Sequence, residues 1–460
     1  MNKTNLFFNY DIGQLHSLMD KKELHYKDII EECARRTNEV NDKYFMWECF
    51  DQQKMYDQAD AITRNIEYLK GLTYMPLAVK DIFNTQFFPT QMGSPLWKGF
   101  TPGNDARVVH NLKEAGAIVA GKSVTAEFAV HALNKTLNHH DVTLTPGTSS
   151  SGSAVAIALG VVPIALGTQT AGSIVRPSSF CGIYGFKPSF GLIPRTGMLK
   201  TTDSLDTIGF FTIHFKDLLR VFEAVRVHGR DYPLSNQALK DPNRQNKLDS
   251  RPWRVAFIKT YTWGKAESYA KESMLKYIDQ LNRMKNIEVE MVDLPSEFDC
   301  SHDVHATIYN KTLFYYFKKE YQNAELVSDI MIELIEDGQK ITLSDYSKAI
   351  EMQNRLIASM DQLMQEYDVL ISLSTAGIAP LRNVIETPDP SLIWSLLHLP
   401  VIAVPAFTNG NNLPFGFQVC SRKYNDYKLL HFLGYLYDNN LIPRKMNPLS
   451  NEGQIKQVYA

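Results

Sequence analysis

Two clusters of serine and glycine, separated by one apolar segment, constrain this chain more than any other feature of its sequence. The clusters are residues 147–153 and residues 167–173. Each is followed at once by an apolar stretch, so the serines lie at the boundaries of buried elements and not in a solvated linker. Small neighbours allow a substrate and free backbone amides to approach a hydroxyl closely. The pattern therefore predicts a reactive serine site on either side of a helix-then-strand unit.

The rest of the chain reads as an α/β protein. Apolar runs that predict short buried strands occur at 76–79, 117–120, 161–166, 369–373, 399–407 and 414–420. Glycine and helical stretches separate them, which is typical of a mixed or parallel sheet covered by helices. Residues 1–65 predict an N-terminal helical layer, and residues from about 220 to 365 predict helices that shape a pocket. Because the sequence has no repeat and no linker, we expect one domain over residues 1–460, with a central mixed β-sheet covered on both faces by α-helices.

Composition and charge exclude several classes of protein. The 460 residues are 44% hydrophobic and 21% charged, and the formal net charge is −2, which offers no attraction for a polyanion. No apolar run reaches the roughly 18 residues that span a bilayer. The five cysteines are scattered without a CxxC pair, which argues against disulfides or a zinc site and favours the cytoplasm. We therefore expect no direct nucleic-acid partner, no membrane association, no metal and no cofactor.

Residues 116–123 match the letter of a phosphate-binding loop, GxxxxGK[ST], and raise the alternative of a nucleotide hydrolase. Such a loop needs a strand before its first glycine and a helix after its lysine. Here residues 106–115 predict an amphipathic helix before the first glycine, and the four residues between the glycines predict a buried strand. The match is therefore interpreted as a helix, a glycine cap and a core strand.

The serine clusters resemble the hallmark of the amidase signature family. That family carries Gly-Gly-Ser-Ser-Gly-Gly-Ser, then Gly-[Ser/Thr]-x-x-Gly-Gly-Ser, and then Pro-x-x-x-Cys-Gly-x-x-Gly-x-Lys-Pro, which is similar to residues 177–188 here. Further segments that resemble the family, in family order, are 76–81, 92–95, 115–123, 127–129, 204–209 and 399–405. The resemblance covers most of the chain from about 70 to 440, and it implies the amidase signature fold and an amide hydrolase.

The resemblance also implies a role for each site residue. Lys80 falls on the catalytic lysine, Ser149 on a serine that follows a cis peptide bond, and Ser173 on the nucleophile. The spacing of the two serines, 173 − 149 = 24 residues, matches the family. Ser150 is implied as a supporting hydroxyl. The implied oxyanion hole consists of the backbone amides of Thr170, Ala171, Gly172 and Ser173.

A serine hydroxyl needs a base before it attacks an amide, and a neutral lysine can serve as that base. Lys80 ends an apolar run, so we expect burial to lower its pKa, and alternation along a strand points Asp81 to the other face. The resemblance then implies that Lys80 accepts a proton through Ser149 from Ser173, which forms an acyl-enzyme that water hydrolyses. The rate is expected to rise toward alkaline pH.

Four positions depart from the family pattern: Thr148, Ser151 and Ala171 replace glycines, and Gln169 replaces an aspartate. These changes bear on substrate range more than on activity. Arg176 lies three residues after the nucleophile, an offset that resembles the malonamidase branch and implies an arginine that binds a substrate carboxylate. The alternative is a structural arginine that braces the loop against a buried carboxylate, and both roles stay open.

Two other functions are weighed against a stand-alone amidase. The glutamine-hydrolysing subunit of a tRNA-dependent amidotransferase shares the motifs, but residues 168–177 are more similar to stand-alone amidases. A non-catalytic scaffold is disfavoured because Lys80, Ser149 and Ser173 are all present. We expect a small-molecule amide as substrate, and the sequence leaves its identity and a homodimeric assembly open.

Overall fold

One mixed sheet of eleven strands organises the described part of the chain, which in this computed structural model comprises residues 5–64, 71–229, 232–245, 251–384, 386 and 389–445. The strands are β1 (Trp47–Phe50), β2 (Pro76–Lys80), β3 (Ile118–Ser123), β4 (Ile164–Gln169), β5 (Tyr184–Lys187), β6 (Thr207–Thr212), β7 (Trp253–Ile258), β8 (Ile287–Val292), β9 (Val369–Leu373), β10 (Val401–Thr408) and β11 (Pro414–Cys420). Their order across the sheet is β1-β3-β2-β4-β6-β5-β10-β11-β9-β7-β8. Strand β2 pairs in parallel with β3 and β4, and β7 with β8 and β9, whereas the remaining pairs are antiparallel.

Helices flank this sheet, which confirms the predicted fold class. The α-helices are α1 (Leu6–Asn9), α2 (Ile12–Asp20), α3 (Tyr26–Tyr44), α4 (Gln52–Thr63), α5 (Arg107–Glu114), α6 (Ser151–Ala158), α7 (Val175–Cys181), α8 (Phe215–Val225), α9 (Pro233–Lys240), α10 (Pro242–Gln245), α11 (Ser268–Asn282), α12 (Ser301–Tyr316), α13 (Lys318–Tyr321), α14 (Asp329–Lys340), α15 (Leu343–Leu363), α16 (Leu392–Leu396) and α17 (Asp426–Asp438). None of the helices in the described residues is both long enough and apolar enough to cross a bilayer.

Strands β2 and β4 and helix α6 form the buried centre on which the site is built. Every residue of these three elements is buried, as expected for parallel strands with both faces covered and for a helix without a polar face. The small side chains of α6 allow this close packing. A Cβ atom on Gly152 would lie only 2.4 Å from the backbone nitrogen of Val124.

The structure contains five strands that the sequence does not predict: β1, β5, β6, β7 and β8. The N-terminal layer contains β1, which pairs with β3 at the edge of the sheet, and the predicted helical region at 220–365 contains β7 and β8. Strand β1 has only four residues, too few to show a clear alternation. Strand β8 does alternate between apolar and charged residues, but it is an exposed edge strand within charge-rich sequence.

Candidate active site

Lys80, Ser149 and Ser173 lie at the ends of neighbouring elements in the middle of the sheet. Lys80 is the last residue of β2, Ser149 precedes α6, and Ser173 lies between β4 and α7. Strands β2 and β4 are parallel neighbours. Because the carboxyl ends of parallel strands meet at the same edge of a sheet, this topology brings the loop after β4 beside Lys80.

The Lys80 ammonium nitrogen is bound by three hydroxyl groups. Its Nζ lies 2.8 Å from Ser149 Oγ, 3.1 Å from Ser150 Oγ and 2.9 Å from Thr168 Oγ1. The side chain of Lys80 is fully buried, and the peptide bond between Thr148 and Ser149 is cis. The structure thus places two of the three predicted catalytic residues in direct contact, with the predicted supporting residue Ser150 beside them.

Burial lowers the pKa of Lys80 to about 7, and the nearby Asp206 carboxylate acts in the opposite direction. The adjacent Asp81 does not reach Lys80; its carboxylate pairs with Lys122, with 3.0 Å between Oδ1 and Nζ. The neighbouring carboxylate is therefore occupied elsewhere, as the alternation of side chains along the strand predicts. Near neutral pH a large fraction of Lys80 is the free amine.

A neutral Lys80 has two N–H donors and one lone pair for its three hydroxyl neighbours. Ser150 Oγ already donates to the Thr168 carbonyl oxygen at 3.3 Å, so its proton is engaged. Of the three hydroxyl oxygens, Ser149 Oγ lies closest to the nitrogen of Lys80, at 2.8 Å, and its hydroxyl can donate to the lone pair when the amine is neutral. This geometry allows proton transfer from Ser149 to Lys80.

The Ser173 hydroxyl is half-buried, and within the described residues it makes no hydrogen bond. The backbone N–H groups of Thr170, Ala171, Gly172 and Ser173 likewise donate to no acceptor in the part of the chain that the structure describes. Four free donors next to an accessible hydroxyl can bind a negative oxygen atom.

Gln169, one of the departures from the family pattern, holds the start of α7. Its side-chain oxygen accepts hydrogen bonds from the backbone N–H groups of Ile174, at 2.9 Å, and Val175, at 3.0 Å. Its amide nitrogen donates to Ser395 Oγ at 2.9 Å. An aspartate could accept the first two bonds but could not donate the third.

Arg176 lies beside residues 170–173, the loop that carries the predicted nucleophile Ser173 and is called the nucleophile loop below. Its guanidinium binds two carboxylates. Its Nε and Nη2 atoms lie 2.9 Å and 2.7 Å from Asp389 Oδ2, and its Nη1 atom contacts Glu386. The Asp389 carboxylate packs directly against Gly172, where a Cβ atom would overlap it. The guanidinium donors that a substrate carboxylate would need are thus already engaged by the protein.

Several residues that shape the site were not identified from the sequence. They are Asp206, His305, Glu386, Asp389 and Ser395. Asp206 lies inside a segment that resembles the family, so its position was a usable signal. The other four come from parts of the chain more than 130 residues after Ser173, and no local pattern marks them.

Residues 116–123, which match the letter of a phosphate-binding loop, do not lie between a strand and a helix. Their interpretation as the glycine and strand that follow a helix is confirmed. Residues 118–123 are strand β3, and helix α5 precedes them. Lys122 is fully buried and donates to the carbonyl oxygens of Phe83 and Pro89, at 2.8 Å and 3.0 Å, and to Thr90 Oγ1, at 2.8 Å. Its donors are therefore not directed at a phosphate.

Among the described residues, no group of three or more His, Cys, Asp or Glu side chains is placed to hold a metal ion. A cavity of about 450 Å³ lies next to the serine loop and is lined by residues such as Thr125 and Asn134. Asn134 donates to Ser151 Oγ at 2.7 Å. Lys80, Ser149 and Ser173 do not line this cavity, so we assign it no part in the chemistry.

Comparison with known families gives one match over most of the chain. A family model described as Amidase matches residues 28–430. Among characterised relatives, a glutamyl-tRNA(Gln) amidotransferase subunit of Bacillus pumilus is 29% identical over 92% of this chain and 96% of its own length. The protein of the same description from Geobacillus kaustophilus is 28% identical over the same shares.

Solved structures show the same fold. A crystal structure of an amidase superposes with a TM-score of 0.82 at 24% identity, covering 94% of this chain and 100% of the other. The peptide amidase from Stenotrophomonas maltophilia gives a TM-score of 0.80 at 22% identity, with 97% and 99% covered. The corresponding glutamyl-tRNA(Gln) amidotransferase subunit from Thermotoga maritima gives 0.78 at 22% identity, with 96% and 98% covered.

Proposed function

This chain belongs to the amidase family, and on that premise we propose that it hydrolyses the C–N bond of a carboxylic amide through an acyl-enzyme on Ser173. Ser149 relays the proton, and Lys80 is the base. The observation that carries the proposal is the buried contact of Lys80 with Ser149, beside a loop with an accessible serine and free amides. Ser-Lys arrangements of this kind replace the usual histidine base in other hydrolases.

In the first half of the reaction, Ser149 gives its proton to the lone pair of Lys80 and takes the proton of Ser173. The Ser173 oxygen forms a bond to the amide carbon, and the carbonyl oxygen becomes an anion held by backbone N–H groups. Lys80 then returns a proton through Ser149 to the amide nitrogen. The C–N bond breaks, ammonia or an amine leaves, and the acyl group stays on Ser173.

In the second half, water replaces the amine. The same pair of Lys80 and Ser149 removes a proton from the water molecule, whose oxygen forms a bond to the acyl carbon. Collapse of the second tetrahedral intermediate breaks the bond to Ser173, and the proton returns to the serine oxygen. The products are a carboxylate and free enzyme, with no co-reactant besides water.

The first test removes the nucleophile. Ser173→Ala is expected to reduce ammonia release by at least about 10⁴-fold, with an unchanged thermal unfolding midpoint because a single half-buried hydroxyl is lost. Ammonia would be measured across a panel of small, aromatic, acidic and long-chain amides. An alanine variant that retains the turnover of the natural chain would refute the mechanism.

The second candidate function is the glutamine-hydrolysing subunit of a tRNA-dependent amidotransferase. It is favoured by the relatives of that description, which match 92% of this chain. The two functions differ in their need for a partner. The purified chain alone is expected to release ammonia from simple amides; hydrolysis of glutamine only, and only with a partner protein present, would favour the amidotransferase.

For Arg176 we propose the structural role and not the binding of a substrate carboxylate. The support is that Asp389 and Glu386 engage the guanidinium on both sides. One arginine between two carboxylates leaves a net charge of −1, which repels an anionic group. A substrate with a carboxylate next to its amide is therefore expected to gain nothing from Arg176.

We also propose that residues 1–460 form one domain and that the protein acts in the cytoplasm. The first is supported by a sheet that joins strands from residue 47 to residue 420. The second is supported by the five described cysteines, all of them thiols without a disulfide, as is usual in a reducing compartment. The choice between a monomer and a homodimer is decided by the solution mass of the purified chain.

A further inference from the structure

Each carbonyl group in the nucleophile loop is held by a separate donor. The Thr170 carbonyl oxygen accepts a hydrogen bond from His305 Nε2 at 3.0 Å. The Ala171 carbonyl oxygen accepts a short one from Ser395 Oγ at 2.7 Å and a long one from Ser391 Oγ at 3.5 Å. The Gly172 carbonyl oxygen accepts one from the Arg176 backbone N–H at 2.8 Å. The loop is therefore fixed through its carbonyl groups, while the N–H groups of residues 170–173 meet no acceptor among the described residues.

A planar trans peptide unit fixes the direction of its N–H group once its carbonyl direction is fixed, because the two point in opposite directions. The carbonyl of Thr170 and the N–H of Ala171 belong to one such unit, and the carbonyl of Ala171 and the N–H of Gly172 to the next. A donor on each carbonyl thus sets the direction of the following amide. It also polarises the peptide unit, which makes its N–H a stronger donor.

His305 comes from α12, in the helical region that the sequence predicts to shape a pocket. It is buried, and burial lowers its pKa to about 4 although the bond to Thr170 opposes this. The ring is therefore neutral at working pH, with its one proton on Nε2, since a carbonyl oxygen can only accept. Its bond to Thr170 does not change as the pH is varied through the range in which Lys80 titrates.

Ser395 comes from α16 and works together with Gln169. Gln169 Nε2 donates to Ser395 Oγ at 2.9 Å, so the hydroxyl proton of Ser395 is directed to the Ala171 carbonyl oxygen. Both side chains are fully buried. The glutamine at position 169 thereby orients the serine, because an aspartate in its place has no proton to donate.

We propose that His305 and Ser395 are positioning residues that direct the N–H groups of Ala171 and Gly172 at the oxyanion of the reaction. This inference rests on the proposed function, in which those amides stabilise the tetrahedral intermediate. Neither residue touches the substrate. Each acts on the transition state through one peptide group, so its removal affects kcat more than KM.

The test uses variants of His305 and Ser395 in the full-length protein, each with a matched control. His305→Phe keeps a ring and loses the donor, whereas His305→Gln keeps a donor near the Nε2 position. Ser395→Ala loses the hydroxyl, and Ser391→Ala is its matched control, because Ser391 Oγ lies 3.5 Å from the same carbonyl oxygen. His302→Phe makes the same ring exchange one turn earlier on α12, where the ring contacts Tyr261.

We expect His305→Phe and Ser395→Ala each to lower kcat about 10- to 100-fold, less than the complete loss of a donor, with KM within about twofold. His305→Gln should retain most of the natural kcat. The controls should lose less kcat than the variants they match: Ser391→Ala less than Ser395→Ala, and His302→Phe less than His305→Phe. A trifluoromethyl ketone that forms an anionic tetrahedral adduct with Ser173 serves as the probe. Its inhibition constant should rise by the same factor by which kcat/KM falls.

Three results would overturn the inference: variants with natural kcat, a loss carried by KM with an unchanged inhibition constant, or equal losses in Ser391→Ala and Ser395→Ala. If His305→Phe does not fold, Ser395→Ala still tests the inference, because this substitution removes only one hydroxyl group. Ser173→Ala separates this inference from the proposed function. If that variant is inactive while the positioning variants are not impaired, only the inference fails.

Discussion

In the proposed mechanism Lys80 carries the largest chemical demand of any single residue. It must be neutral to act as a base, and among the described residues three neutral hydroxyls and no carboxylate contact its ammonium nitrogen. Burial supplies the shift in its pKa to about 7, while Asp206 limits it. Burial disfavours the charged ammonium form of Lys80 and so increases the fraction that is the free amine.

The rate of amide hydrolysis should therefore rise with pH through an inflexion near 7 and then stay high, because the free amine of Lys80 is the active form. The profile of kcat/KM between pH 5 and 10 checks this. Lys80→Met should be inactive at every pH in that range. A rate that falls as the pH rises from 6 to 8 contradicts Lys80 as the base.

An inflexion near 7 does not by itself distinguish a lysine from a histidine, whose ordinary pKa is about 6.5. Burial lowers the pKa of His305 to about 4 and also lowers that of His302, so neither should titrate near 7. Replacing His302 by glutamine is expected to leave the inflexion in place. If the inflexion disappears in that variant, a histidine and not Lys80 controls the rate.

Arg176 offers a second prediction at the level of single residues. In Arg176→Met the Asp389 carboxylate is left uncompensated against Gly172, close to the proposed oxyanion. Uncompensated charges a few ångströms apart cost several kcal/mol, so kcat should fall about 10²-fold. The neutral analogue of an amide that bears a nearby carboxylate should lose rate as well, as measured by ammonia release.

The matched variant for this prediction is Arg176→Met combined with Asp389→Asn. Removing both charges together should restore part of the rate, because the repulsion of the oxyanion is removed as well. A selective loss on the carboxylate-bearing amide, with no recovery in the double variant, would instead favour Arg176 as the group that binds substrate.

The grouping of side chains around Lys80 was largely predictable from the sequence because these residues lie in local motifs. Lys80, Ser149 and Ser150 meet as the motifs predict, and Thr168 completes the group. The residues that hold the loop were not accessible. His305 and Ser395 belong to α12 and α16, and their contacts with the loop depend on how those helices pack, which no pattern within either helix encodes.

At the scale of secondary structure, the buried ion pair between Asp81 and Lys122 of β3 fixes the segment that follows Lys80. Asp81 accepts a hydrogen bond from the Gln91 backbone N–H at 3.0 Å, and Lys122 on β3 binds the carbonyl oxygens of Phe83 and Pro89. The pair thus ties the loop after β2 to the neighbouring strand. The ion pair therefore holds the backbone that follows Lys80.

Lys122→Met should destabilise the protein by about 3–5 kcal/mol, because it leaves the Asp81 carboxylate buried without its counter-ion. The change would be measured as a lower urea midpoint for unfolding. Adding Asp81→Asn to Lys122→Met should recover part of the loss. The exposed Lys98→Met is the control, and a Lys122→Met protein as stable as this control contradicts the assignment.

The secondary structure was predictable where a run of apolar residues is both short and fully buried. Strands β2, β9 and β11 were expected within one residue of their observed ends. The prediction missed β1, β5, β6, β7 and β8. Strands β1, β7 and β8 lie toward the edges of the sheet, where pairing with a distant strand decides the structure. Strands β5 and β6 lie in its middle, but a glycine interrupts the apolar run of each one, which weakens the strand pattern.

At the scale of the whole molecule, the histidines determine how stability depends on pH. Burial lowers the pKa of eight described histidines: His16, His131, His139, His140, His214, His302, His305 and His398. Between pH 6.5 and about 4 the unfolded chain binds protons at these positions that the folded protein does not bind. The free energy of unfolding therefore falls as the pH is lowered through this range.

Three buried aspartates oppose this trend. Burial raises the pKa of Asp81 and Asp426 to about 6 and that of Asp217 to about 8, so these groups favour the folded state as the pH falls. Eight histidines outnumber three aspartates, and the urea midpoint should decrease from pH 6.5 to pH 4.5. The exposed His110→Gln serves as a control. A midpoint that increases on acidification contradicts this balance.

The position of the site's parts along the chain also sets when activity arises during synthesis. A ribosome completes Lys80, Ser149 and Ser173 long before it reaches His305 and Ser395, and β5 must wait for β10 before the middle of the sheet can close. On the proposed function, a growing chain therefore presents its serine without directed oxyanion donors. On that proposal we expect the full rate only from a chain that contains the last third, and a lower rate of amide hydrolysis from an unfinished polypeptide.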